Sequence, residues 1–135
     1  MEATQKKQEI TVCIVEDEEM IAEMYRIKLE EKNFQVFVAS DGEKGFEIIK
    51  RVKPDIALID IMMPNKDGIS LIKNIRKDPS ISRIPVIILT NLDNSEIVKK
   101  TYDLDVDFYL IKSQYRPSDV VKIVKEVLSS KHIMT

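Results

Sequence analysis

Five short runs of apolar, largely β-branched residues recur along the chain, separated by longer amphipathic segments. The runs cover residues 10–15, 35–39, 55–59, 86–89 and 108–111. Most of them are continuous rather than alternating in polarity, which is typical of strands covered on both faces. Five such strands in strict alternation with helices predict an α/β fold, in which a parallel sheet has helices on both sides and right-handed crossover connections.

The intervening segments repeat apolar residues at spacings of three and four, as one buried face of a helix does. Clear examples are Ile21, Tyr25 and Leu29 and, near the C-terminus, Val120, Val124 and Leu128. Ser40 and Glu43 predict a capping box at the start of the second helix, and Pro117 suits the first turn of the last one. The fourth segment, residues 95–103, has the thinnest apolar stripe, so we expect it to be the most weakly held helix.

The composition argues for one folded domain without a nucleic-acid or membrane surface. The chain has 135 residues, 44% of them hydrophobic, and its 21 basic and 23 acidic residues give a net charge of -2. This balance carries no basic footprint for nucleic acid, and no apolar run approaches the length of a membrane span. The single cysteine, Cys13, is expected to be a buried apolar residue. We expect a flexible segment at residues 1–9, the domain at 10–130, a tail at 131–135 and a cytoplasmic location.

Chemically active side chains follow four of the predicted strands. Glu16 and Asp17 follow the first strand, Asp60 the third, Thr90 the fourth and Lys112 the fifth. The C-terminal ends of parallel strands lie on one edge, where ligand sites form at the point at which strand order reverses. Three crowded carboxylates repel one another unless a cation neutralises them, and hard oxygen ligands suit Mg2+. Metal, ammonium and hydroxyl together could hold a phosphoryl group, which leaves one carboxylate as a candidate nucleophile for aspartyl-phosphate chemistry.

This ordered set of residues resembles the receiver domain of bacterial two-component response regulators, the CheY-like family. The resemblance runs from about residue 10 to 129, and all five signature positions occur in order. It rests on Val15-Glu16-Asp17, the stretch 58–68 around Asp60, Ile88-Leu89-Thr90-Asn91 and Tyr109-Leu110-Ile111-Lys112. It implies a doubly wound, flavodoxin-like sheet of five parallel strands in the order 2-1-3-4-5, with helices on both faces.

The resemblance also implies a role for each acidic position. Asp60 would be the phospho-acceptor, taking its phosphoryl group from a phosphohistidine on a sensor histidine kinase or a phosphotransfer protein. Asp17 and Asp60 would bind Mg2+, or Mn2+ in its place, through their carboxylates. Glu16 would bind it mainly through water, and Met62 through its backbone carbonyl. The protein would be a single-domain signalling switch and not a metabolic enzyme, although it would assist its own phosphorylation and slow dephosphorylation.

The other signature residues are implied to hold the phosphoryl group and to relay its presence. Lys112 would pair with the acidic cluster and then with a phosphoryl oxygen, while the Thr90 hydroxyl would bond another oxygen and move inward. Tyr109 stands where the family has its rotameric aromatic switch. The relay would reach the surface of the fourth helix, the fifth strand and the last helix, where receivers commonly dimerise or bind a downstream protein.

Several positions depart from the family pattern. Asn91 replaces a small residue and is expected to narrow access to the site, and Ser113 stands where proline usually follows the lysine. Asp105 stands where glycine is common, and aspartate tolerates the left-handed backbone such a turn needs. Two apolar residues, Met62 and Leu92, are hypothesised to shield the phosphoryl group from water.

Two further groups of residues have a plain structural interpretation. Glu18 and Glu19 suit the N-terminus of the first helix, where acids are favoured. Asp67 and Gly68 read chiefly as turn residues.

Other functions are weighed on the same residues. An aspartate-nucleophile phosphatase of the haloacid-dehalogenase type uses D-x-D after its first strand, whereas Asp60 lies on the third and Met62 replaces the second acid. A flavin or nucleotide carrier lacks support because neither Gly-rich phosphate motif occurs. A degenerate receiver acting as a scaffold would have lost the acceptor, acid pair or lysine. The chain could also be the receiver part of a longer regulator.

Overall fold

Strands and helices alternate along the whole domain, as the sequence predicts. The structure, a computed structural model, describes residues 9–63, 67–91 and 95–133. Strands β1 to β5 occupy Thr11–Val15, Gln35–Ala39, Ile56–Ile59, Val86–Thr90 and Phe108–Ile111. Helices α1 to α5 occupy Glu19–Glu31, Gly42–Val52, Gly68–Lys77, Ser95–Thr101 and Pro117–Ser130. Single 3-10 turns follow α4 at Tyr102–Leu104 and β5 at Lys112–Gln114.

The five strands form one parallel sheet in the order β2-β1-β3-β4-β5, which confirms the predicted topology. Chain order and strand order diverge at β1, which lies between β2 and β3. This is the reversal point at which the crevice of an open α/β sheet is found. The ends of β1 and β3 that carry the acidic residues therefore lie side by side.

Alternate residues of the central strands supply two separate cores. One core packs β1 and its neighbours against α1 and α5, and it contains Ile14, Leu58 and Val124. The other packs the opposite face against α2 and α3, with Cys13 among its residues, and Ile97 of α4 rests on it. A fully buried Leu or Ile contributes roughly 1.5–3 kcal/mol, so these two layers hold the sheet edge rigid beneath the site. Cys13 is fully buried as predicted, and burial raises the pKa of its thiol to about 12.

Three local predictions differ from the structure. The N-cap of α2 is Asp41, whose carboxylate accepts a hydrogen bond from the Lys44 amide, so the predicted capping box of Ser40 and Glu43 is wrong by one residue. The fourth helix ends earlier than expected, at Thr101, because the chain tightens into a 3-10 turn. The strands β2 and β5 are not covered on both faces, because they lie at the edges of the sheet.

Two other local predictions, for Pro117 and Asp105, are confirmed. Pro117 is the first residue of α5, and Asp105 adopts the left-handed conformation with φ of 55°. No helix in the part of the chain described here is long and apolar enough to cross a bilayer. The shielding role of Leu92 and most of the N-terminal segment 1–9 fall outside the described residues.

Candidate functional site

The register of the sheet brings the predicted site residues to one edge. Val15 lies opposite Ile59, so the residues that follow them, Glu16 and Asp60, emerge next to each other. The Asp60 amide donates to the Val15 carbonyl at 2.9 Å, which continues the ladder by one residue. On the other side of Asp60, β4 ends at Thr90 in register with the last residue of β5. Residues far apart in sequence are therefore neighbours because four strands end together.

Lys112 joins the two buried acids. Its Nζ donates to Oδ2 of Asp60 at 2.9 Å and makes a short hydrogen bond to Oε1 of Glu16. Glu16 is 1% exposed and Asp60 is 4% exposed. The second oxygen of each acid accepts a backbone amide, that of Glu18 at 3.1 Å for Glu16 and that of Met62 at 2.9 Å for Asp60. Each buried carboxylate is thus held by one ammonium and one amide, which fixes its orientation.

Burial and close contact shift the pKa values of Glu16 and Lys112 in this cluster. The pKa of Glu16 is raised from 4.5 to about 7, mainly by burial and to a smaller extent by the nearby Asp60 charge, although the hydrogen bonds from Lys112 and the Glu18 amide oppose this shift. Burial lowers the pKa of Lys112, but its hydrogen bonds to Glu16 and Asp60 outweigh burial, and the net shift is upward. The lysine therefore stays charged at neutral pH.

A cleft of about 280 Å³ opens above this cluster. It is lined by Asp17, Glu18, Asp60, Met62, Thr90, Asn91 and Lys112. Asp17 is exposed and Thr90 is 1% exposed at the end of its strand. The carboxylate of Asp60 thus lies beside a solvent-connected space large enough for a small group such as a phosphoryl. Asn91 also lines that space, and its effect on access to the site stays a prediction.

Glu18 lies at the N-terminus of α1, as predicted, and it also borders the cleft. It is the N-cap residue of α1, but its side chain makes no capping hydrogen bond. The sequence around Glu18 resembles any acidic helix start. Only the path of the loop between β1 and α1 shows that this residue borders the cleft. Tyr109 is not among the described residues that line the cleft. It is half-buried and packs against the core beneath α2 and α3.

The loop after Asp60 is shaped by a glycine that sequence reasoning treated as turn chemistry. Gly68 is the first residue of α3, and Asp67 before it is the N-cap, accepting from the Ser70 amide at 2.8 Å. A Cβ on Gly68 would lie 2.4 Å from the carbonyl oxygen of Asp60 and 2.6 Å from Cα of Ile61. Gly68 is therefore needed because two segments of backbone touch here.

Arg76 was not singled out from the sequence, yet it hydrogen-bonds the segments that precede β4 and β5, at the end of these strands opposite the site. Its guanidinium donates to the carbonyls of Ser82 at 3.0 Å and Ile84 at 2.7 Å, before β4. It also donates to the carbonyls of Leu104 at 2.8 Å and Asp105 at 3.0 Å, before β5. A cation in the last turn of a helix is favoured there anyway, so its spacing gave no signal of this role.

A family model for the response regulator receiver domain matches residues 12–125, which is most of the chain. The chain belongs to this family. Among curated relatives, it is 31% identical over 122 residues to the alkaline phosphatase synthesis transcriptional regulatory protein PhoP of Bacillus subtilis. That match covers 90% of this receiver but 50% of PhoP, so the chain spans about half the length of this relative.

Solved structures of similar fold cover nearly the whole receiver. A CheY-like receiver domain from Methanospirillum hungatei superposes with a TM-score of 0.85 at 24% identity, over 93% of this chain and 98% of that one. The phosphorylated cyanobacterial phytochrome response regulator RcpA superposes with a TM-score of 0.75 at 27% identity, covering 90% and 92%. The first likeness shows the fold, and the second comes from a receiver solved in its phosphorylated form.

Receiver domains generally bind Mg2+ in an acidic pocket, and the donors of this receiver fit such an ion. Glu16, Asp17 and Asp60 each offer a carboxylate oxygen, and these oxygens lie within 4.8 Å of one another. With Lys112 protonated and all three acids ionised, two negative charges remain, which a divalent cation would neutralise. Hard oxygen donors beside open solvent are what Mg2+ prefers, since it keeps several of its waters.

Proposed function

We propose that this receiver is a phosphorylation-controlled switch whose acceptor is Asp60. In the reaction, a carboxylate oxygen of Asp60 attacks the phosphorus of a phosphohistidine on a sensor histidine kinase or phosphotransfer protein. A P–O bond forms while the P–N bond breaks, and its electron pair leaves on the histidine nitrogen. Phosphorylation adds negative charge and strong acceptor oxygens at the sheet edge, which can bias a two-state surface.

One observation carries this proposal: the carboxylate of Asp60 is buried, held by Lys112 and the Met62 amide, and still borders an open cleft. A structural carboxylate would need only the first two properties. A nucleophile needs a fixed orientation and a path for its reaction partner, and Asp60 has both. The proposal also draws on the likeness to RcpA, which is described as phosphorylated.

The remaining residues of the cluster are proposed to support the transfer. Lys112 already donates to Asp60 and can turn the same ammonium to a phosphoryl oxygen, and the Thr90 hydroxyl would bond another. Asp17, Asp60 and the Met62 carbonyl would hold Mg2+ or Mn2+ directly. Glu16 would act mainly through water, as the resemblance to receivers implies. When bound, the ion supplies neutralisation of the charge on the transferred group.

We propose that the receiver is not a metabolic enzyme. A haloacid-dehalogenase-type phosphatase has a second acid two positions after its aspartate nucleophile, whereas the second position after Asp60 is Met62, whose side chain cannot transfer a proton. The expected hydrolysis is therefore only slow loss of the phosphoryl group from Asp60. A haloacid-dehalogenase-type phosphatase is the alternative, and it would turn over a phosphomonoester many times.

The output is proposed to leave through the surface formed by α4, β5 and α5. Thr90 lies at the end of β4 beside the cleft, and Tyr109 lies on the adjacent β5. On this surface Tyr102 is 72% exposed and Phe108 is 36% exposed, so aromatic area is available to a protein partner. A downstream protein or a second receiver would dock there, and no direct nucleic-acid or membrane contact is proposed.

The proposal is confined to the receiver. We favour a single-domain regulator, with a receiver that is part of a longer regulator as the alternative, and the activities named for the longer relatives are not carried over. Intact-mass measurement of the protein isolated from its own cells separates the two.

The test is phosphorylation in vitro. Wild type, Asp60→Asn and the matched control Asp103→Asn, an exposed aspartate remote from the cluster, are incubated with Mg2+ and acetyl phosphate. Intact mass should show an adduct of about one phosphoryl group, on the order of 80 Da, on wild type and control but not on Asp60→Asn. An adduct that persists on Asp60→Asn, or its absence from wild type, contradicts the proposal. Turnover of p-nitrophenyl phosphate would favour the phosphatase.

A further inference from the structure

A second cavity beside the site lies between α3 and α4, outside the phosphorylation cleft. This α3–α4 hollow has a volume of about 460 Å³. Its lining includes four apolar side chains and two lysines: Ile61, Met62, Ile69, Ile97, Lys73 and Lys100. The first two follow Asp60 directly, so the hollow begins where the phospho-acceptor loop begins.

The hollow is lined by two exposed lysines and by one acid that is already hydrogen-bonded. Lys73 and Lys100 are exposed, and neither forms an ion pair within the residues that the structure describes. Asp67 also lines the hollow, but its carboxylate is already hydrogen-bonded. It accepts hydrogen bonds from the Ser70 amide at 2.8 Å and the Ser70 hydroxyl at 3.4 Å as the N-cap of α3. Among the described residues, the apolar concavity therefore carries two lysines that are not ion-paired with an acid.

We propose that the α3–α4 hollow docks an acidic segment of a partner protein, in which an apolar side chain fills the concavity and flanking carboxylates pair with Lys73 and Lys100. The apolar anchor would supply most of the affinity, because desolvated anchors dominate interfaces. The exposed ion pairs would add less energy but would select for acidic sequences and orient them. A lipid surface fits less well, since lipid-binding patches use about four to eight basic residues.

The place of the hollow gives the docked segment a route to Asp60. Met62 lines both the hollow and the phosphorylation cleft, and its amide holds Oδ1 of Asp60 at 2.9 Å. A side chain seated against Met62 thus contacts the loop that positions the nucleophile. The choice of a protein partner rests on the proposed signalling function, but binding at the hollow can be measured without phosphorylation.

The experiment uses a short fluorescein-labelled peptide with a leucine–phenylalanine pair flanked by aspartates. Two control peptides replace the aspartates by asparagines or the apolar pair by serines. Fluorescence anisotropy is measured with wild type, with Lys73→Gln/Lys100→Gln, and with the matched control Lys77→Gln/Lys99→Gln. The control removes the same charge from the same two helices at exposed residues that do not line the hollow. Amide chemical shifts of labelled wild type locate the bound peptide.

Saturable binding is expected, with shifts at Ile69, Lys73 and Ile97. The Lys73→Gln/Lys100→Gln variant should bind about tenfold more weakly, since exposed ion pairs contribute modestly to affinity, and the matched control should bind as wild type does. Both control peptides should bind more weakly than the parent. Equal binding by the two double variants, shifts confined to another surface, or no binding by wild type would overturn the proposal.

Two further measurements keep the outcome clear. Binding to phosphatidylserine vesicles without binding to the peptide would assign the lysines to a lipid surface and reject the protein partner. The acetyl phosphate adduct is measured on every variant, so loss of the adduct identifies failure of the phosphorylation proposal. A normal adduct with no peptide binding identifies failure of the docking proposal alone.

Discussion

Replacing Gly68 by alanine should displace Asp60, the proposed phospho-acceptor, without changing any charged group. The added methyl would lie 2.4 Å from the carbonyl oxygen of Asp60 and 2.6 Å from Cα of Ile61. Non-bonded heavy atoms prefer separations of about 3.5–4.0 Å, so the two segments must part by about 1 Å. Both contacts are with backbone, and no change of side-chain rotamer can relieve them.

Two magnitudes follow from this shift. Overpacking of this kind typically costs about 1–3 kcal/mol of unfolding free energy, and each kcal/mol corresponds to roughly 3–5 °C of melting temperature in a domain of this size. A reacting group misplaced by about 1 Å can lose about a hundredfold in rate. We therefore expect Gly68→Ala to fold, to melt several degrees lower, and to be phosphorylated about a hundredfold more slowly.

The assay compares Gly68→Ala with Gly45→Ala by thermal melting and by the initial rate of adduct formation with acetyl phosphate. A methyl on Gly45 would meet the side chains of Val15 at 2.9 Å and Leu71 at 3.2 Å, and these side chains can shift. Gly45→Ala should lose some stability but keep a phosphorylation rate within a few-fold of wild type. If Gly68→Ala is phosphorylated at the wild-type rate, or no more slowly than Gly45→Ala, the close approach does not position Asp60.

Substitutions at three other residues test separate parts of the structure. Lys112→Met leaves Glu16 and Asp60 buried without their cation. It should lower the free energy of unfolding by roughly 3 kcal/mol at pH 7, the low end of the usual range because the cleft admits water. Urea titration should show that part of this loss is recovered at pH 5, where one acid takes up a proton. Arg76→Met removes a cation from four carbonyls and should lower the free energy of unfolding by about 2–4 kcal/mol. Arg76→Lys has fewer donors and should recover only part of this loss. Equal stability of Arg76→Met and wild type would show that these hydrogen bonds do not stabilise the sheet. Hydrogen bonding lowers the pKa of Asp78 from 3.8 to about 2. Its contribution to the stability of the fold is therefore present above pH 3.8 and is lost as pH falls toward 2. In urea titrations the stability advantage of wild type over Asp78→Asn should shrink across that interval, and a constant difference would refute the assignment.

The topology and the cluster were largely predictable from sequence. Continuous β-branched runs can be buried only inside a layered sheet, and parallel strands must end on one edge. Glu16, Asp60 and Lys112 therefore had to converge once the strands were recognised. The resemblance to receivers added the strand order, which periodicity alone leaves open.

What could not be predicted depends on tertiary approach. Gly68 resembles any turn glycine until Asp60 is seen against it, and Arg76 resembles any cation at a helix end. Ser40 and Asp41 are both good N-cap residues, and only the packing of α2 selects the second. Edge exposure of β2 follows from its place in the sheet, which its own apolar sequence does not reveal.

The ion pairs of Lys112 also bear on how the domain is made. Glu16 and Lys112 are 96 residues apart, and β5 is the last strand both in the chain and across the sheet. During synthesis, β1 and β3 leave the ribosome with two acids and no ammonium between them. Long-range contacts of this kind form late, because the intervening chain must be ordered first. We therefore expect an unfinished or truncated chain to leave Asp60 without its cation, since Lys112 reaches it only when the final strand joins the sheet.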